Sequence, residues 1–164
     1  MEIEITPKII TKENFAKFGD MVTTKDVDFI EINNGYAKRY DNIAHLNTSK
    51  GNGETTISIF SALKRTFPMK IDMMEKHPLG SQAFIPMKET TFLAFVAPKG
   101  EKPDLKKIEA FIVPPGIGVN YNPGTWHFPL ISTEDMNFLV VDRKGSGDNL
   151  IIENLEKEKI TLKY

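Results

Sequence analysis

Short extended segments separated by turns containing glycine and proline dominate this sequence, and they restrict the chain to a mostly β fold. Ile57 and Ile59 alternate with serines, which is typical of an extended segment. The run Pro114-Pro115-Gly116 is a strong turn signal between two such segments. Many short strands joined by turns of this kind are typical of a barrel or a sandwich.

One short helix is expected near the N terminus. Thr11 is a residue type that caps helices, and Gly19 marks the expected end. Phe15 and Phe18 fall on one face of that helix. The chain has 164 residues, of which 40% are hydrophobic, so we expect a single globular domain spanning residues 1–164.

Composition excludes several classes of function. Lys and Arg number 21 against 22 Asp and Glu, and this balance argues against a nucleic-acid-binding surface. The absence of cysteine excludes disulfides, thiolate zinc sites and cysteine nucleophiles. The N terminus lacks the apolar core of a secretory signal, and the apolar run 92–96 is too short to span a bilayer. We therefore expect a cytoplasmic protein without membrane or nucleic-acid partners.

A strand carrying two polar side chains at its end is predicted over residues 69–77. Its odd positions begin with Met69, Ile71 and Met73 and end with Glu75 and His77. Because side chains alternate across a strand, the apolar face that should point inward also carries this carboxylate and this imidazole.

A second histidine follows a tight turn. Gly116 is followed by five residues, then by Asn122-Pro123-Gly124, two further residues and His127. The two segments resemble the metal motifs of cupins, which read His-x-His, four residues, Glu, and Gly, five residues, Pro-x-Gly, two residues, His. In this chain Glu75 stands in place of the first His and Gln82 in place of the Glu.

If the two segments meet, they form a candidate metal site of two histidines and one carboxylate. Glu75, His77 and His127 would suit iron, manganese or nickel with open coordination positions, and Gln82 could add a neutral oxygen. A metal-free alternative is equally concrete. In that case Glu75 is a general base and the histidines bind an anion.

Other polar residues give weaker signals. Asn33-Asn34-Gly35 indicates a hairpin turn, and His45 is expected at the surface. Arg39 and Arg143 could each bind a carboxylate through two hydrogen bonds. Lys88 and Asp142 are further candidates, which this sequence alone does not distinguish.

The segment 77–87, His-Pro-Leu-Gly-Ser-Gln-Ala-Phe-Ile-Pro-Met, is similar to the signature of the ureidoglycolate lyase family. Four further parts of the chain agree with that family in order, so the resemblance covers nearly the whole sequence. They are Ile32 to Gly35 with Arg39-Tyr40, Lys102 to Leu105, Gly118 to Tyr121 with Trp126-His127, and Phe138 with Asp142-Arg143. Family members often carry a second His after the Trp-His pair, where this chain has Phe128.

The resemblance implies a cupin-like β-barrel (a double-stranded β-helix or jelly roll), a homodimer, and a divalent metal such as nickel or manganese. It implies cleavage of ureidoglycolate to glyoxylate and urea in the breakdown of allantoin and purines. The candidates for substrate binding lie in the segments that resemble the family, and they are Arg39, Asn34, Gln82 and Tyr121.

That reaction needs a base for the substrate hydroxyl, an acid for the leaving nitrogen and a cation for the carboxylate. Glu75 is the expected base, His127 or His77 the acid, and Arg39 the anchor. Two alternatives remain at this stage: another metal-dependent cupin enzyme acting on a small hydroxy acid, and a non-catalytic module that binds a small carboxylate.

Overall fold

The computed structural model describes residues 2–164 and is built almost entirely of short strands. Three single-turn 3-10 segments, Asn33–Gly35, Leu105–Lys107 and Glu156–Glu158, and one α-helix, α1 (Lys12–Phe15), interrupt them. The strands are β1 (Ile3–Ile5), β2 (Lys8–Ile9), β3 (Gly19–Val22), β4 (Ile30–Ile32), β5 (Ala37–Arg39), β6 (Glu54–Ala62), β7 (Met69–Ile71), β8 (Met73–Lys76), β9 (Gln82–Pro86), β10 (Phe92–Ala97), β11 (Glu109–Val113), β12 (Gly118–Tyr121), β13 (Trp126–His127), β14 (Ile131–Ser132), β15 (Met136–Lys144), β16 (Ile151–Asn154) and β17 (Ile160–Leu162).

Two large sheets face each other and enclose the first core. One sheet has the order β3-β12-β9-β15-β6, and the other has the order β16-β8-β13-β10-β11-β2 with β14 also paired to β10. Phe84, Val119 and Phe138 of the five-stranded sheet share a buried cluster with Phe92 and Phe111 of the opposite sheet. The predicted mostly β, cupin-like architecture is therefore confirmed, with the sheets packed as a sandwich.

A second core lies on the other face of the larger sheet. There Phe95 and Trp126 pack with Ile71 and Ile160 of a three-stranded sheet of order β1-β17-β7. Strand β10 is buried along its whole length because its alternate side chains enter the two cores. This explains why residues 92–97 form a continuous apolar run instead of an alternating one.

The helix begins where the sequence predicted. Thr11 accepts a hydrogen bond from the Asn14 backbone N–H at 3.0 Å, and the Asn14 side chain accepts one from the Thr11 N–H at 2.8 Å. Phe15 and Phe18 are both fully buried, as expected. The helix itself ends at Phe15, and Gly19 already begins β3. A side chain at Gly19 would meet the Asn120 carbonyl oxygen at 1.8 Å, so this glycine is required by the packing of β3 against β12.

The predicted continuous strand over residues 69–77 is broken at Asp72. Met69 and Ile71 are buried and Lys70 is exposed, as predicted, but Met74 is fully buried and Met73 is only partly buried. The first part pairs with β17 in the three-stranded sheet and the second part pairs with β13 and β16 in the larger one. The alternation is therefore reset between the two parts, and the prediction that Glu75 shares the inward face of Met69 and Ile71 is wrong.

Candidate functional site

Glu75, His77 and His127 converge at one point of the sandwich. The ligand atoms of the three residues all lie within 4.8 Å of one another. Nε2 of His127 lies 3.5 Å from Oε1 of Glu75, and Nε2 of His77 lies 3.8 Å from the same oxygen. The convergence predicted from the two sequence motifs is thus present, and we call these three residues the triad.

Strand pairing explains the convergence. His127 is the direct partner of Glu75 in the antiparallel pair of β8 and β13, so their side chains share one face of the sheet. The neighbours Met74 and Trp126 lie on the opposite face, inside the second core. The turn at 122–124 is joined to the triad, because the Gly124 N–H donates to the His77 carbonyl oxygen at 2.9 Å.

The backbone fixes the tautomer of both histidines. Nδ1 of His77 lies 2.7 Å from the Asn149 carbonyl oxygen, and Nδ1 of His127 lies 3.0 Å from that of Thr125. A carbonyl oxygen only accepts, so each Nδ1 carries the proton and donates it. The two Nε2 atoms therefore face Glu75, and each offers a lone pair to a ligand when its imidazole is neutral. Both Nε2 atoms are buried and have no hydrogen-bond partner among residues 2–164.

The protonation states follow from burial and from the mutual contacts of the triad. Burial opposes ionisation of Glu75, but its interactions with His127 and then His77 outweigh this and hold the Glu75 pKa below its usual value. Burial and the neighbouring His127 lower the pKa of His77, against the opposing hydrogen bond to Asn149. Near neutral pH, the triad therefore contains an ionised carboxylate and a neutral His77.

This donor set fits a divalent metal. Two imidazole nitrogens and one carboxylate oxygen are ligands used for iron, manganese and nickel, with room for further ligands from the substrate or solvent. Hydrogen bonds from both Nδ1 atoms to carbonyl oxygens are also the usual support for metal-binding histidines. The specific observation that favours a metal site is that both Nε2 atoms are buried and have no hydrogen-bond partner among residues 2–164. Histidines with a purely structural role would be expected to have such partners.

A cleft of about 570 Å³ reaches the triad through Glu75. Gln82 and Phe84 line it from β9, together with Phe60 of β6 and Leu130. Lys64 and Arg65, which follow β6, are its two cationic residues. Sequence reasoning overlooked both, because only the fold brings the residues after β6 into the same cleft as Glu75.

Gln82 and Tyr121, two predicted substrate-binding residues, lie beside the triad. Gln82 is 6% exposed and donates through Nε2 to Oδ2 of Asp142 at 3.2 Å. Tyr121 is the cross-strand partner of Gln82, and its ring stacks on His127 with centroids 4.6 Å apart. Burial and the charge of Glu75 raise the pKa of Tyr121, so its hydroxyl keeps its proton.

The structure does not bring Asn34 and Arg39 to the triad within one chain. Both lie on the hairpin formed by β4 and β5, and Arg39 pairs with Asp41 at 2.7 Å. Neither residue lines the cleft that contains Glu75. Their predicted roles in substrate binding stay predictions.

Arg143 has a different environment from the one considered in the sequence analysis. Its guanidinium donates to the carbonyl oxygens of Lys50, Gly51 and Ser146, and the residue is 7% exposed. It thereby joins two loops near Gly80 instead of facing the cleft.

Two further residues from the sequence analysis have peripheral positions. Lys88 is exposed and pairs with Glu134, and His45 is exposed, as predicted. Asn149, which orients His77, was not foreseen, since its carbonyl oxygen carries no sequence signal.

Comparison with known proteins identifies the family of this chain. The sequence profile of the family described as ureidoglycolate lyase matches residues 2–163. A protein of Pseudomonas paraeruginosa named ureidoglycolate lyase is 48% identical over 141 residues, which cover 85% of this chain and 83% of the relative. Proteins of the same name from Stutzerimonas stutzeri and Pseudomonas syringae pv. tomato are 45% and 43% identical over 146 residues, which cover 88% of this chain and 86% of each relative. The matched region spans nearly every strand of the sandwich and includes all three residues of the triad. This chain therefore belongs to the ureidoglycolate lyase family.

Proposed function

We propose that this chain cleaves ureidoglycolate into glyoxylate and urea. The single observation that carries the proposal is an ionised carboxylate beside two buried imidazole nitrogens without partners, at the end of a cleft, in a chain of this family. Ureidoglycolate carries a hydroxyl, a carboxylate and a ureido nitrogen on one carbon. Cleavage breaks the bond from that carbon to the nitrogen and converts the hydroxyl to the aldehyde oxygen of glyoxylate.

Glu75 is the proposed proton carrier. Its lowered pKa keeps the carboxylate ionised at neutral pH, so it takes the proton of the substrate hydroxyl. The electron pair of that O–H bond forms the carbonyl, and the electrons of the broken C–N bond remain on nitrogen. Nitrogen then receives the proton held by Glu75, which balances the reaction and releases urea. The lowered pKa of His77 favours this assignment over His77 as the acid, because the Nε2 of the neutral ring accepts and does not donate.

We propose that His77 and His127 hold a divalent metal, nickel or manganese, with Glu75 adjacent. A metal bound there supplies a Lewis acid that lowers the pKa of the substrate hydroxyl. The chain's own contribution is to orient both Nε2 atoms, through the Nδ1 hydrogen bonds to the carbonyl oxygens of Asn149 and Thr125.

The proposed reaction is tested by incubating the purified protein with racemic ureidoglycolate. We expect urea and glyoxylate in equal amounts, without consumption of oxygen. Oxygen uptake that depends on substrate would favour the alternative of another metal-dependent cupin enzyme. Binding of the substrate without turnover would favour a non-catalytic carboxylate-binding module.

The substrate carboxylate needs a cation, and Arg65 is our proposed anchor. Arg65 lines the cleft, and its guanidinium lies 5.7 Å from the Phe128 ring centroid. No ion pair within residues 2–164 holds Arg65 elsewhere. We expect Arg65→Ala to raise KM about tenfold while kcat changes little, because a charge-assisted hydrogen bond is lost in both ground and transition states.

Steady-state kinetics of Arg39→Ala provides the comparison for Arg65→Ala. Arg39 is paired with Asp41 outside the cleft, so its replacement should have the smaller effect on KM. A larger rise of KM in Arg39→Ala than in Arg65→Ala would restore Arg39 as the anchor.

We also propose a cytoplasmic homodimer that acts in allantoin and purine breakdown, as the family resemblance implies. An exposed apolar surface supports dimer formation: Ile57 and Ile59 on the outer face of β6 are 67% and 50% exposed, and Leu63 is 76% exposed. Strand β6 is also the edge of its sheet, with one open side. Light scattering over a concentration series should give twice the 18.5 kDa chain mass, and the mass of a single chain throughout would contradict the dimer.

Among the described residues, none of the helices is long and apolar enough to cross a membrane.

A further inference from the structure

Among residues 2–164, the side-chain amide of Gln82 has one hydrogen-bond partner. Its Nε2 donates to Oδ2 of Asp142, which lies on β15, the neighbour of β9 in the five-stranded sheet. An ionised carboxylate only accepts hydrogen bonds, so the nitrogen end of the amide must face Asp142. The chemistry of the pair therefore fixes the orientation of an amide whose two ends are similar in shape.

The carbonyl oxygen of the Gln82 side chain has no hydrogen-bond partner in the described part of the chain. Oε1 is buried and receives no hydrogen bond from residues 2–164, although the residue is 6% exposed and lines the cleft beside Glu75. Buried carbonyl oxygens are nearly always paired in folded proteins because leaving one unpaired is unfavourable. A donor from a bound ligand would satisfy this atom.

We propose that Asp142 is a positioning residue that holds the Gln82 carbonyl oxygen toward the substrate, where it accepts a hydrogen bond from a ureido N–H. This inference rests on the proposed function and identifies the part of the substrate that Gln82 recognises. The ureido group offers N–H donors, whereas a carboxylate offers only acceptors, which Oε1 would repel. Gln82 would thus orient the substrate with its ureido end toward β9 and select against small hydroxy acids that lack that group.

Two stable probes separate the ureido contact from the carboxylate contact. Oxalurate carries a carboxylate and a ureido group, and oxalate carries carboxylates alone. We expect Asp142→Asn to weaken oxalurate binding about tenfold, measured by calorimetry, and to leave oxalate binding within about twofold. An asparagine at position 142 can donate as well as accept, so the Gln82 amide is free to turn its nitrogen toward the ligand.

Gln82→Met is the second variant, since it removes the acceptor and keeps a similar volume. It should weaken oxalurate binding by a similar factor, and Asp142→Asn should add little in the Gln82→Met background. The matched control is Asp20→Asn. Asp20 accepts from Asn120 Nδ2 at 3.0 Å across the neighbouring strands β3 and β12, but neither residue lines the cleft. This control should bind both probes like the parent protein.

Several results would overturn the inference. One is unchanged oxalurate binding in Asp142→Asn, and another is failure of the parent protein to bind oxalurate. Equal weakening of both probes would mean that the variants act on the metal or on the charge around His77 instead of on a ureido contact. The proposed function is judged separately: a parent protein that binds oxalurate more tightly than oxalate, yet releases no urea from ureidoglycolate, would refute the lyase reaction and retain the Gln82 contact.

Discussion

Glu75→Gln is expected to lower kcat by about 10²–10⁴-fold, which is the usual contribution of a general base. Glutamine keeps the length and hydrogen-bonding ability of the side chain but removes the oxygen that takes the hydroxyl proton. Glu75 is the carboxylate of the triad, with both histidine Nε2 atoms within 3.8 Å of its Oε1. Binding of glyoxylate should be largely retained, because product binding does not require proton transfer.

Steady-state kinetics together with calorimetric titration of glyoxylate will check this expectation. Glu109→Gln is a suitable control, since the Glu109 side chain has the same 19% exposure as that of Glu75 and also contacts two basic side chains, but outside the cleft. A Glu75→Gln variant with nearly normal kcat would show that Glu75 is neither the base nor an essential ligand. The proton transfer would then have to pass to His77 or His127.

The core of the site could be predicted because it depends on local spacing. The turn at 122–124 lies close to His127, and the spacing of Glu75 and His77, with one residue between them, is also local. Once β8 and β13 pair, their register alone brings Glu75 opposite His127. The capping hydrogen bonds between Thr11 and Asn14 also join residues that are close in sequence. The start of the helix could therefore be predicted correctly.

The strand over residues 69–77 shows why local alternation was insufficient elsewhere. The Asp72 carbonyl oxygen accepts a hydrogen bond from the Leu155 N–H at 2.7 Å, a contact with a segment more than eighty residues away. At this point the chain leaves one sheet and enters another, so Ile71 and Met74 both enter the second core despite their different parity. A period-2 pattern carries no information about such a change of sheet.

The residues that support the triad are distant in sequence. Asn149 orients His77, and Asp142 orients Gln82, through contacts that span 72 and 60 positions along the chain. Asp142 was only one of several polar candidates, and the hairpin that carries Arg39 could not be located relative to the cleft. Lys64 and Arg65 have no motif of their own, and only the packing of β6 against the rest of its sheet gives them a position near Glu75.

Removal of the metal is expected to abolish activity, and addition of nickel or manganese should restore it. The reason is the donor set: His77 and His127 each present a buried Nε2 atom that has no hydrogen-bond partner within residues 2–164. Elemental analysis of the untreated protein should find about one divalent ion per chain. Loss of a supporting hydrogen bond to a ligand commonly costs 10–100-fold in metal affinity, so removal of a ligand in His127→Ala should cost at least about 100-fold.

Calorimetric titration of the metal into the chelated protein measures this loss independently of catalysis. His45→Ala is the matched control, because His45 is an exposed histidine on a loop and should leave the metal affinity unchanged. Acidification should weaken metal binding in the parent protein, since a proton on Nε2 of either histidine competes directly with the ion. Full activity after exhaustive chelation, with no metal found by elemental analysis, would contradict the metal site. The geometry would then favour Glu75 as a metal-free base, with the lone pairs of His77 and His127 accepting hydrogen bonds from the substrate instead.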